Sequence, residues 1–285
     1  MRSYVTDYEL VAPDALESAL KLLASGEGWR PIAGGTDLMV LLNAGRLLSR
    51  RFVSLRKLDQ LKQITVNPNG VAIGAAVTYS QIRCHPVLQA EFPLLCQAAG
   101  WSGGIANQNQ GTLGGNIANA SPAADSAPPL LVYDAEIRLS SFEGDRRLRY
   151  ADFHLGYKML ALRPDELIYA IDLPRRSTAW RDYGRKVGTR RAQAISKVSF
   201  AATALIDNRR IAGLRLAFGS IAPVPLRCSK TEQFLLQQRV TPSTIADACE
   251  TLRSEISPID DIRSTAAYRA NVTQNLMADF LAGLQ

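Results

Sequence analysis

Apolar residues recur at helical spacing near the start of the chain. Leu16, Leu20 and Leu23 share one face of a predicted helix over residues 13–24, and Pro13 suits its first turn. Further on, short apolar runs bounded by turn residues indicate strands, and the Asn-Pro-Asn-Gly turn at 67–70 joins two of them as a hairpin. The same reasoning predicts the other elements of this part of the chain: strands over 31–33, 52–55, 64–66 and 71–73, and a helix over 93–99.

Residues 100–130 break this pattern. Gly, Asn, Ser, Ala and Pro dominate the segment, and the apolar periodicity fades. Loops of this length are uncommon in compact domains unless they have a function, and long ordered loops usually carry function. We therefore expect a long functional loop here.

Strand and helix patterns return beyond residue 130, but they do not alternate strictly. The run Arg-Arg-Ser-Thr at 175–178 is interpreted as a domain boundary. The order of elements favours an α+β fold over a doubly wound sheet. The elements predicted in this part are strands over 137–140, 167–173, 198–206 and 211–218, and helices over 245–252 and 266–284.

Composition and charge exclude several classes of protein. Hydrophobic residues make up 47% of the 285 residues and charged residues 21%, which is typical of a globular chain. The net charge of +7 is spread along the sequence without interleaved aromatic residues, so a nucleic-acid partner is not predicted. Residues 1–7 lack the apolar core of a signal peptide and no apolar run reaches membrane-spanning length. We expect a cytoplasmic protein with no membrane partner.

The cysteines and histidines match no known metal or catalytic motif. The four cysteines form no Cys-x-x-Cys pair and the two histidines form no His-Glu-x-x-His motif, so no metal site is predicted. Reduced and mostly buried thiols are expected instead. A serine or cysteine triad has little support either, and no catalytic residue is predicted. These residues are Cys84, Cys96, Cys228, Cys249, His85 and His154.

Two glycine pairs are candidates for binding phosphate. The first stands in residues 33–37 (Ala-Gly-Gly-Thr-Asp), between a predicted strand and a predicted helix for which Thr36 is the expected N-cap. Adjacent glycines let the backbone approach a ligand, and their N–H groups can converge on phosphate oxygens. The second pair stands in residues 111–116 (Gly-Thr-Leu-Gly-Gly-Asn), and Asp125 follows it. From the residues alone, Asp125 is best interpreted as a helix cap.

The usual nucleotide fingerprints are absent from the sequence. No Gly-x-Gly-x-x-Gly follows a strand, and no Gly-Lys pair occurs. Two phosphate-binding loops without these fingerprints indicate a large diphosphate ligand held by a less common fold.

Six motifs occur in an order that resembles the flavin-binding subunit of the molybdenum hydroxylases, the family of xanthine dehydrogenase and carbon monoxide dehydrogenase. The resemblance covers most of the chain. The motifs are 33–38 (Ala-Gly-Gly-Thr-Asp-Leu), 112–117 (Thr-Leu-Gly-Gly-Asn-Ile) with 120–122 and Asp125, 164–168 closing at 173–174, 185–196, 222–227, and 261–264 with 268–269.

The resemblance implies a two-part FAD-binding domain of the vanillyl-alcohol-oxidase-like (PCMH) type over residues 1–174, with subdomains of about 1–55 and 56–174. A smaller α/β C-terminal domain over 175–285 would follow it. It also implies two FAD loops, the first with its amides at the pyrophosphate, and a carboxylate, an apolar side chain and a lysine at the cofactor. The matching residues are Pro31, Ile32, Ala33, Gly34, Gly35, Thr36, Asp37, Leu38, Thr112, Leu113, Gly114, Gly115, Asn116, Asp125, Ile168 and Lys186.

Two positions depart from the family pattern. Many relatives carry Pro-Gln-Ile-Arg-Asn ahead of the second loop, whereas this chain has Gln108 at the arginine position. Ser102 stands where some relatives place an aromatic residue beside the flavin. These differences concern the packing and redox tuning of the flavin ring more than FAD binding itself. The cysteine-rich insertion of some relatives is missing as well.

By resemblance, the chain is the FAD-carrying electron-transfer subunit of an oxidoreductase and is incomplete alone. A large molybdopterin subunit would hydroxylate the substrate, a small subunit would carry [2Fe–2S] clusters, and the FAD would pass electrons to NAD or another acceptor. Since the flavin performs the redox chemistry, the protein needs no acid–base triad of its own. The alternatives are a self-contained FAD oxidoreductase of a small molecule, and a basic binding or scaffold protein that has lost the flavin.

Overall fold

A computed structural model describes residues 8–176, 179–190 and 192–284. The described residues form sheets of three, five and four strands, and one two-stranded hairpin. The expected boundary run at 175–178 lies partly outside the described residues, because Ser177 and Thr178 are not among them. The same holds for Arg191 of the motif at 185–196 and for residues 1–7.

The three-stranded sheet carries the first glycine pair at the end of one of its strands. β1 and β2 both run parallel to the central strand β3. Leu20 and Leu23 of the neighbouring helix are buried against this sheet together with Trp29 and Val53. The elements are β1 (Glu9–Val11), α1 (Leu16–Ala24), β2 (Trp29–Ile32), α2 (Leu38–Asn43) and β3 (Arg51–Ser54).

The five-stranded sheet is antiparallel, in the order β4-β5-β10-β6-β7. The helices of this part of the chain share a core with the sheet, in which Ile73, Ile137 and Ile171 are completely buried. Its elements are β4 (Ile64–Val66), β5 (Gly70–Gly74), α3 (Tyr79–Cys84), α4 (Pro86–Glu91), α5 (Pro93–Trp101), α6 (Ile105–Gln110), α7 (Leu113–Ala118), α8 (Ala127–Val132), β6 (Glu136–Ser141), β7 (Gly144–Arg149), β8 (His154–Gly156), β9 (Met159–Leu160) and β10 (Leu167–Pro174), of which β8 and β9 form the separate hairpin.

The C-terminal sheet is an antiparallel meander in the order β11-β12-β13-β14. Phe200 and Phe218 stack in its core with ring centroids 4.2 Å apart, and Phe280 of the last helix packs edge-on against Phe200. Its elements are β11 (Arg181–Val187), β12 (Val198–Asp207), β13 (Arg210–Gly219), β14 (Leu226–Arg227), α9 (Ser229–Leu235), α10 (Pro242–Glu255) and α11 (Ala266–Ala282).

The sheets and the segregated helices confirm the predicted α+β class, but the expected loop at 100–130 is wrong. This segment contains α6, α7 and α8, each six residues long. Apolar periodicity cannot develop over fewer than two turns, and all six residues of α8 are buried, so no polar face marks that helix.

Four smaller expectations are also corrected. The first helix begins at Leu16 rather than at residue 13, and Asp37, not Thr36, is the N-cap residue of α2. The N-cap residue of α8 is Ser126, so Asp125 is not a helix cap. The four thiols are free, but of these only Cys228 is buried.

Among the described helices, none is long and apolar enough to cross a membrane.

Candidate functional site

The two glycine pairs meet in the folded chain and line one cavity of about 420 Å³, which we call the loop cavity. We call residues 33–38 loop 1 and residues 111–116 loop 2. Loop 1 connects β2 to α2. Loop 2 follows α6 and includes the first four residues of α7. Of the residues proposed from the sequence, those lining the cavity are Pro31, Ala33, Gly34, Gly35, Thr36, Asp37, Leu38, Thr112, Gly115 and Asn116.

Loop 1 presents backbone N–H groups without protein acceptors. Within the described part of the chain, no backbone or side-chain oxygen accepts a hydrogen bond from the N–H groups of residues 33–38. Gly35 adopts a φ of +71°, which favours glycine and turns the chain into α2. Partnerless N–H groups at a cavity wall are donors for an anionic or carbonyl ligand.

Loop 2 contributes shape and side chains, because its amides bind the protein. The N–H groups of Leu113 and Gly114 donate to the carbonyl oxygens of Val77 and Ala75, at 3.0 and 2.9 Å. Those of Gly115 and Asn116 donate to the side-chain and backbone oxygens of Thr112. The expectation that glycine amides face a phosphate therefore applies to loop 1 only.

The glycines of the two loops serve close packing. A Cβ atom on Gly34 would overlap the carbonyl group of Gln110, so loop 1 lies directly on the residue that precedes loop 2. A Cβ atom on Gly114 would lie 2.7 Å from the carbonyl oxygen of Ala75. Gly34 thus allows loop 1 to lie against the start of loop 2, and Gly114 allows loop 2 to lie against the backbone at Ala75.

Tyr79 belongs to the wall of the loop cavity, and its hydroxyl is enclosed by protein atoms. It is the first residue of α3, where Thr78 forms a capping box with Gln81 that fixes the start of the helix. Only 5% of Tyr79 is exposed, and its hydroxyl finds no hydrogen-bond partner among the described residues. Burial raises the pKa of Tyr79, so the group stays a neutral donor and acceptor.

The sequence reasoning missed several other residues of the cavity wall. Arg30, Arg46 and Lys158 bring positive charge to it, and Leu41, Leu47 and Leu48 form an apolar side. Isolated basic or apolar residues on different elements carry no sequence signal. The wall thus suits a ligand that combines an anionic centre with an apolar ring.

Asp125 and Lys186 form a buried ion pair that joins the two halves of the chain. Their side chains are 9% and 8% exposed, and Lys186 Nζ lies 2.6 Å from Asp125 Oδ2. Lys186 also donates to the carbonyl oxygen of Trp101 at 3.0 Å, and Ser196 Oγ donates to Asp125 Oδ1 at 2.5 Å. Burial raises the pKa of Asp125, and the charge of Lys186 opposes that effect. The structure places neither residue in the wall of the loop cavity.

Two known domain families account for nearly the whole chain. The FAD binding domain in molybdopterin dehydrogenase matches residues 6–176, and the CO dehydrogenase flavoprotein C-terminal domain matches residues 184–284. The chain belongs to the FAD-binding subunits of the molybdenum hydroxylases. This confirms the resemblance drawn from the six motifs, and it confirms FAD as the cofactor of the family's domain.

Individual relatives agree with this assignment. The xanthine dehydrogenase FAD-binding subunit of Escherichia coli O157:H7 is 32% identical over 92% of this chain and 90% of the relative. The glyceraldehyde dehydrogenase medium chain of Sulfolobus acidocaldarius is 29% identical over 96% of both chains. A solved carbon monoxide dehydrogenase chain from Hydrogenophaga pseudoflava shares the fold with a TM-score of 0.93 at 23% identity, over 98% of this chain and 96% of that one. The FAD subunit is therefore an oxidoreductase component.

The remaining proposed residues of the FAD subunit do not line the loop cavity. Ile168 sits at an irregularity of β10 and is 4% exposed within the core of the five-stranded sheet. Leu113 and Gly114 are buried at the start of α7. Ile32 ends β2 next to loop 1 but does not line the cavity.

Gln108 holds the turn that follows α5. It is 3% exposed, donates from Nε2 to the carbonyl oxygen of Gly100 at 2.9 Å, and accepts from Arg83 at 2.5 Å. The guanidinium of Arg83 on α3 thus lies against the side chain of Gln108 on α6. Ser102 donates to the carbonyl oxygen of Ala98 at 3.0 Å, so its hydroxyl is satisfied by the protein.

A second cavity of about 440 Å³ adjoins the loop cavity in the FAD subunit. The two share Ala33, Gly34 and Thr112, and the second also contains the cationic side chains of Arg56 and Lys62. The contact between Gly34 and Gln110 therefore lies where the two cavities meet. An extended ligand suits such an arrangement better than a compact one.

Acidification should destabilise the FAD subunit through His154 of β8. Its Nε2 lies 3.1 Å from the hydroxyl of Tyr150, and burial lowers the pKa of His154 to about 4. Since an unfolded histidine titrates near pH 6.5, the unfolded chain binds a proton that the folded chain excludes between these values. This contribution is complete above about pH 6.5 and is lost as the pH falls towards 4.

The variant His154→Gln tests this titration. Between pH 6.5 and 4, the free energy of unfolding of the parent protein should fall more steeply than that of the variant. The difference between the two slopes should reach up to about 1 kcal/mol per pH unit. Urea unfolding at a series of pH values measures both slopes. Equal slopes would show that His154 is not buried in its neutral form.

Proposed function

We propose that this chain is the FAD-carrying electron-transfer subunit of a heteromeric molybdenum hydroxylase of the xanthine dehydrogenase type. In this proposal it accepts electrons from the [2Fe–2S] clusters of a small partner subunit and passes them to NAD or another acceptor. A large molybdopterin subunit hydroxylates the substrate. The observation that carries the FAD part is the row of partnerless N–H groups on loop 1, at a cavity shared with loop 2.

The residues present fit FAD. Loop 1 offers N–H donors to the pyrophosphate, and α2 offers an apolar wall to a ring. When bound, FAD supplies the redox chemistry. We propose that the sixteen residues named from the resemblance bind it, with Asp125, Ile168 and Lys186 on the flavin side.

The protein's own residues bind and orient the cofactor. Lys186 of β11 pairs with Asp125 and also donates to the carbonyl oxygen of Trp101, so it fixes this strand of the C-terminal domain against the end of α5. The hydroxyl of Ser196 donates a second hydrogen bond to Asp125 from the C-terminal domain. We propose that this closes the flavin side of the site, with a domain limit at 174/175 and subdomains of about 1–55 and 56–174.

The names of the relatives support the partner subunits. One is a subunit alpha of a 6-hydroxypseudooxynicotine dehydrogenase complex from Paenarthrobacter nicotinovorans, 26% identical over 96% of this chain and 93% of that one. We propose cytoplasmic location for the assembled enzyme.

The isolated chain should bind FAD. Titration of the flavin-free protein with FAD should quench the cofactor's fluorescence at a ratio of one FAD per chain, with a dissociation constant in about the micromolar range or below. FMN, which has no pyrophosphate, is the matched control ligand and should bind at least about tenfold more weakly. A chain that takes up no FAD would contradict the cofactor part of the proposal.

The electron route is tested on the assembled enzyme. Co-expression with the molybdopterin and iron–sulfur subunits should yield one complex. Its flavin absorbance should bleach when the substrate that is to be hydroxylated is added, and should return when NAD is added. Return with oxygen or a quinone only would identify a different acceptor. Bleaching in the isolated chain by an organic substrate would instead support a self-contained FAD oxidoreductase.

A further inference from the structure

Lys158 stands at the turn of the β8–β9 hairpin and belongs to the wall of the loop cavity. Its φ of +58° places it in the left-handed region, which is uncommon for a side chain other than glycine and is typical of a tight turn. The turn aims a long cationic side chain at the cavity from an element that carries neither glycine pair.

The ammonium of Lys158 is bound only to neutral oxygen atoms. It donates to the backbone carbonyl oxygen of Asn119 and, at 3.0 Å, to Asn119 Oδ1. Asn119 Nδ2 donates in turn to Asp37 Oδ2 at 3.1 Å. The three side chains form a bridge along the cavity wall, from the hairpin to loop 1.

This charge lacks a counter-charge in the described residues. Lys158 is an exposed residue, and no carboxylate oxygen among the described residues lies within 4.0 Å of its Nζ. Burial lowers the pKa of Lys158, and the more distant Asp37 opposes that effect. A partly desolvated ammonium without an ion pair is stabilised when an anion binds beside it.

The charge of the wall fits a pyrophosphate. The charged side chains of the loop cavity are Arg30, Arg46 and Lys158 against Asp37, three positive and one negative, which leaves two positive charges. A dinucleotide's pyrophosphate is a dianion. The free N–H groups of loop 1 face the same cavity, so the hydrogen-bond donors and the charges converge on one ligand group.

We propose that Lys158 is a cofactor-binding residue that neutralises the FAD pyrophosphate, with the β8–β9 hairpin as the element that brings it across the cavity from loop 1. The inference rests on the proposed function, because it takes FAD as the ligand. It adds a binding residue outside the glycine motifs and gives the hairpin a role in holding the cofactor.

The test compares Lys158→Met and Lys158→Arg in the full chain, with Lys230→Met as the matched control. Lys230 is an exposed lysine of α9, so its replacement removes the same charge far from the cavity. Flavin-free proteins are titrated with FAD at low salt and at about 1 M salt, where exposed charges are screened within about 3 Å. Thermal unfolding of each flavin-free variant reports whether it folds.

At low salt, Lys158→Met should raise the dissociation constant for FAD at least about tenfold, since a charge-assisted contact is worth about 1.5–3 kcal/mol. The loss should shrink to less than about threefold at about 1 M salt. Lys158→Arg should stay within about threefold of the parent protein, and Lys230→Met should change nothing.

Two results would overturn the role of Lys158. One is an unchanged FAD affinity in Lys158→Met. The other is a loss that is equal at both salt concentrations and is shared by Lys158→Arg, which would show that the side chain only supports the hairpin. If the parent protein itself binds no FAD, the proposed function fails, and that outcome is distinguishable because it does not depend on the variants.

Discussion

Replacing Gly34 by alanine should abolish FAD retention. The new Cβ atom would overlap the backbone carbonyl group of Gln110, and a backbone group cannot move aside as a flexible side chain can. Loops 1 and 2 would have to separate, which displaces the N–H donors of loop 1 from the cavity. We expect a loss of about 3 kcal/mol in the free energy of unfolding, the upper part of the range for overpacking.

The effect on cofactor binding should be at least about a hundredfold in the dissociation constant for FAD, if a similar energy is lost from the site. Fluorescence titration measures it, and urea unfolding measures the stability.

Gly45→Ala is the matched control for Gly34→Ala. Gly45 also flanks α2, but a Cβ atom there meets nothing within 4 Å, and only its φ of +66° opposes the change. That costs about 1–2 kcal/mol in stability and should leave FAD affinity unchanged. If Gly34→Ala retained FAD as well as Gly45→Ala does, the contact between the loops would not support the site.

The glycine pairs show what local sequence can predict about this site. Their adjacency signals close backbone approach wherever they occur, and their order along the chain carries the family resemblance. What they approach depends on the tertiary fold. Gly34 and Gly114 approach protein backbone, whereas loop 1 as a whole keeps its N–H groups for a ligand. A sequence pattern cannot separate these two uses.

The β4–β5 hairpin was predictable because its sequence signal is local. The turn at 67–70 and the apolar runs beside it determine the β4–β5 hairpin locally, and the structure confirms it at Ile64–Val66 and Gly70–Gly74. The helices within 105–132 were not predictable, because each has fewer than two turns and α8 is buried on all sides. Propensity and periodicity carry little information over six residues.

Contacts between distant segments form the part of the site that no local pattern contains. Lys158 reaches Asn119 across 39 positions, and Asn119 reaches Asp37 across 82. Arg83 meets Gln108 across 25 positions, which supplies a guanidinium near a position where the family pattern is broken. Each residue is unremarkable in its own segment, and only the fold makes it part of the site.

Replacing Lys186 by methionine should be the most destabilising change at the contact between the domains. It leaves Asp125 buried with Ser196 as its remaining side-chain partner, and breaking a buried ion pair from one side costs about 3–5 kcal/mol. The carbonyl group of Trp101 loses a donor in the same step. Urea unfolding should show this loss, and FAD affinity should fall with it if the pair closes the flavin side.

Two further variants test whether the loss of stability in Lys186→Met comes from an unpaired buried charge. The double variant Asp125→Asn with Lys186→Met should recover part of the lost stability, because no charge is then left behind. Lys21→Met, which breaks the exposed pair with Glu17 on α1, should cost less than about 0.5 kcal/mol.

The pH dependence of Lys186→Met gives a third measurement with a defined sign. Burial already holds the pKa of Asp125 above its ordinary value, and removing the lysine takes away the charge that opposes this. The folded variant then binds a proton more readily than the unfolded chain, so its stability relative to the parent protein should rise as the pH falls from 8 to about 5. A deficit that stays constant over this range would mean that the lysine acts by packing and by its bond to Trp101, and that Asp125 is not left charged in the interior.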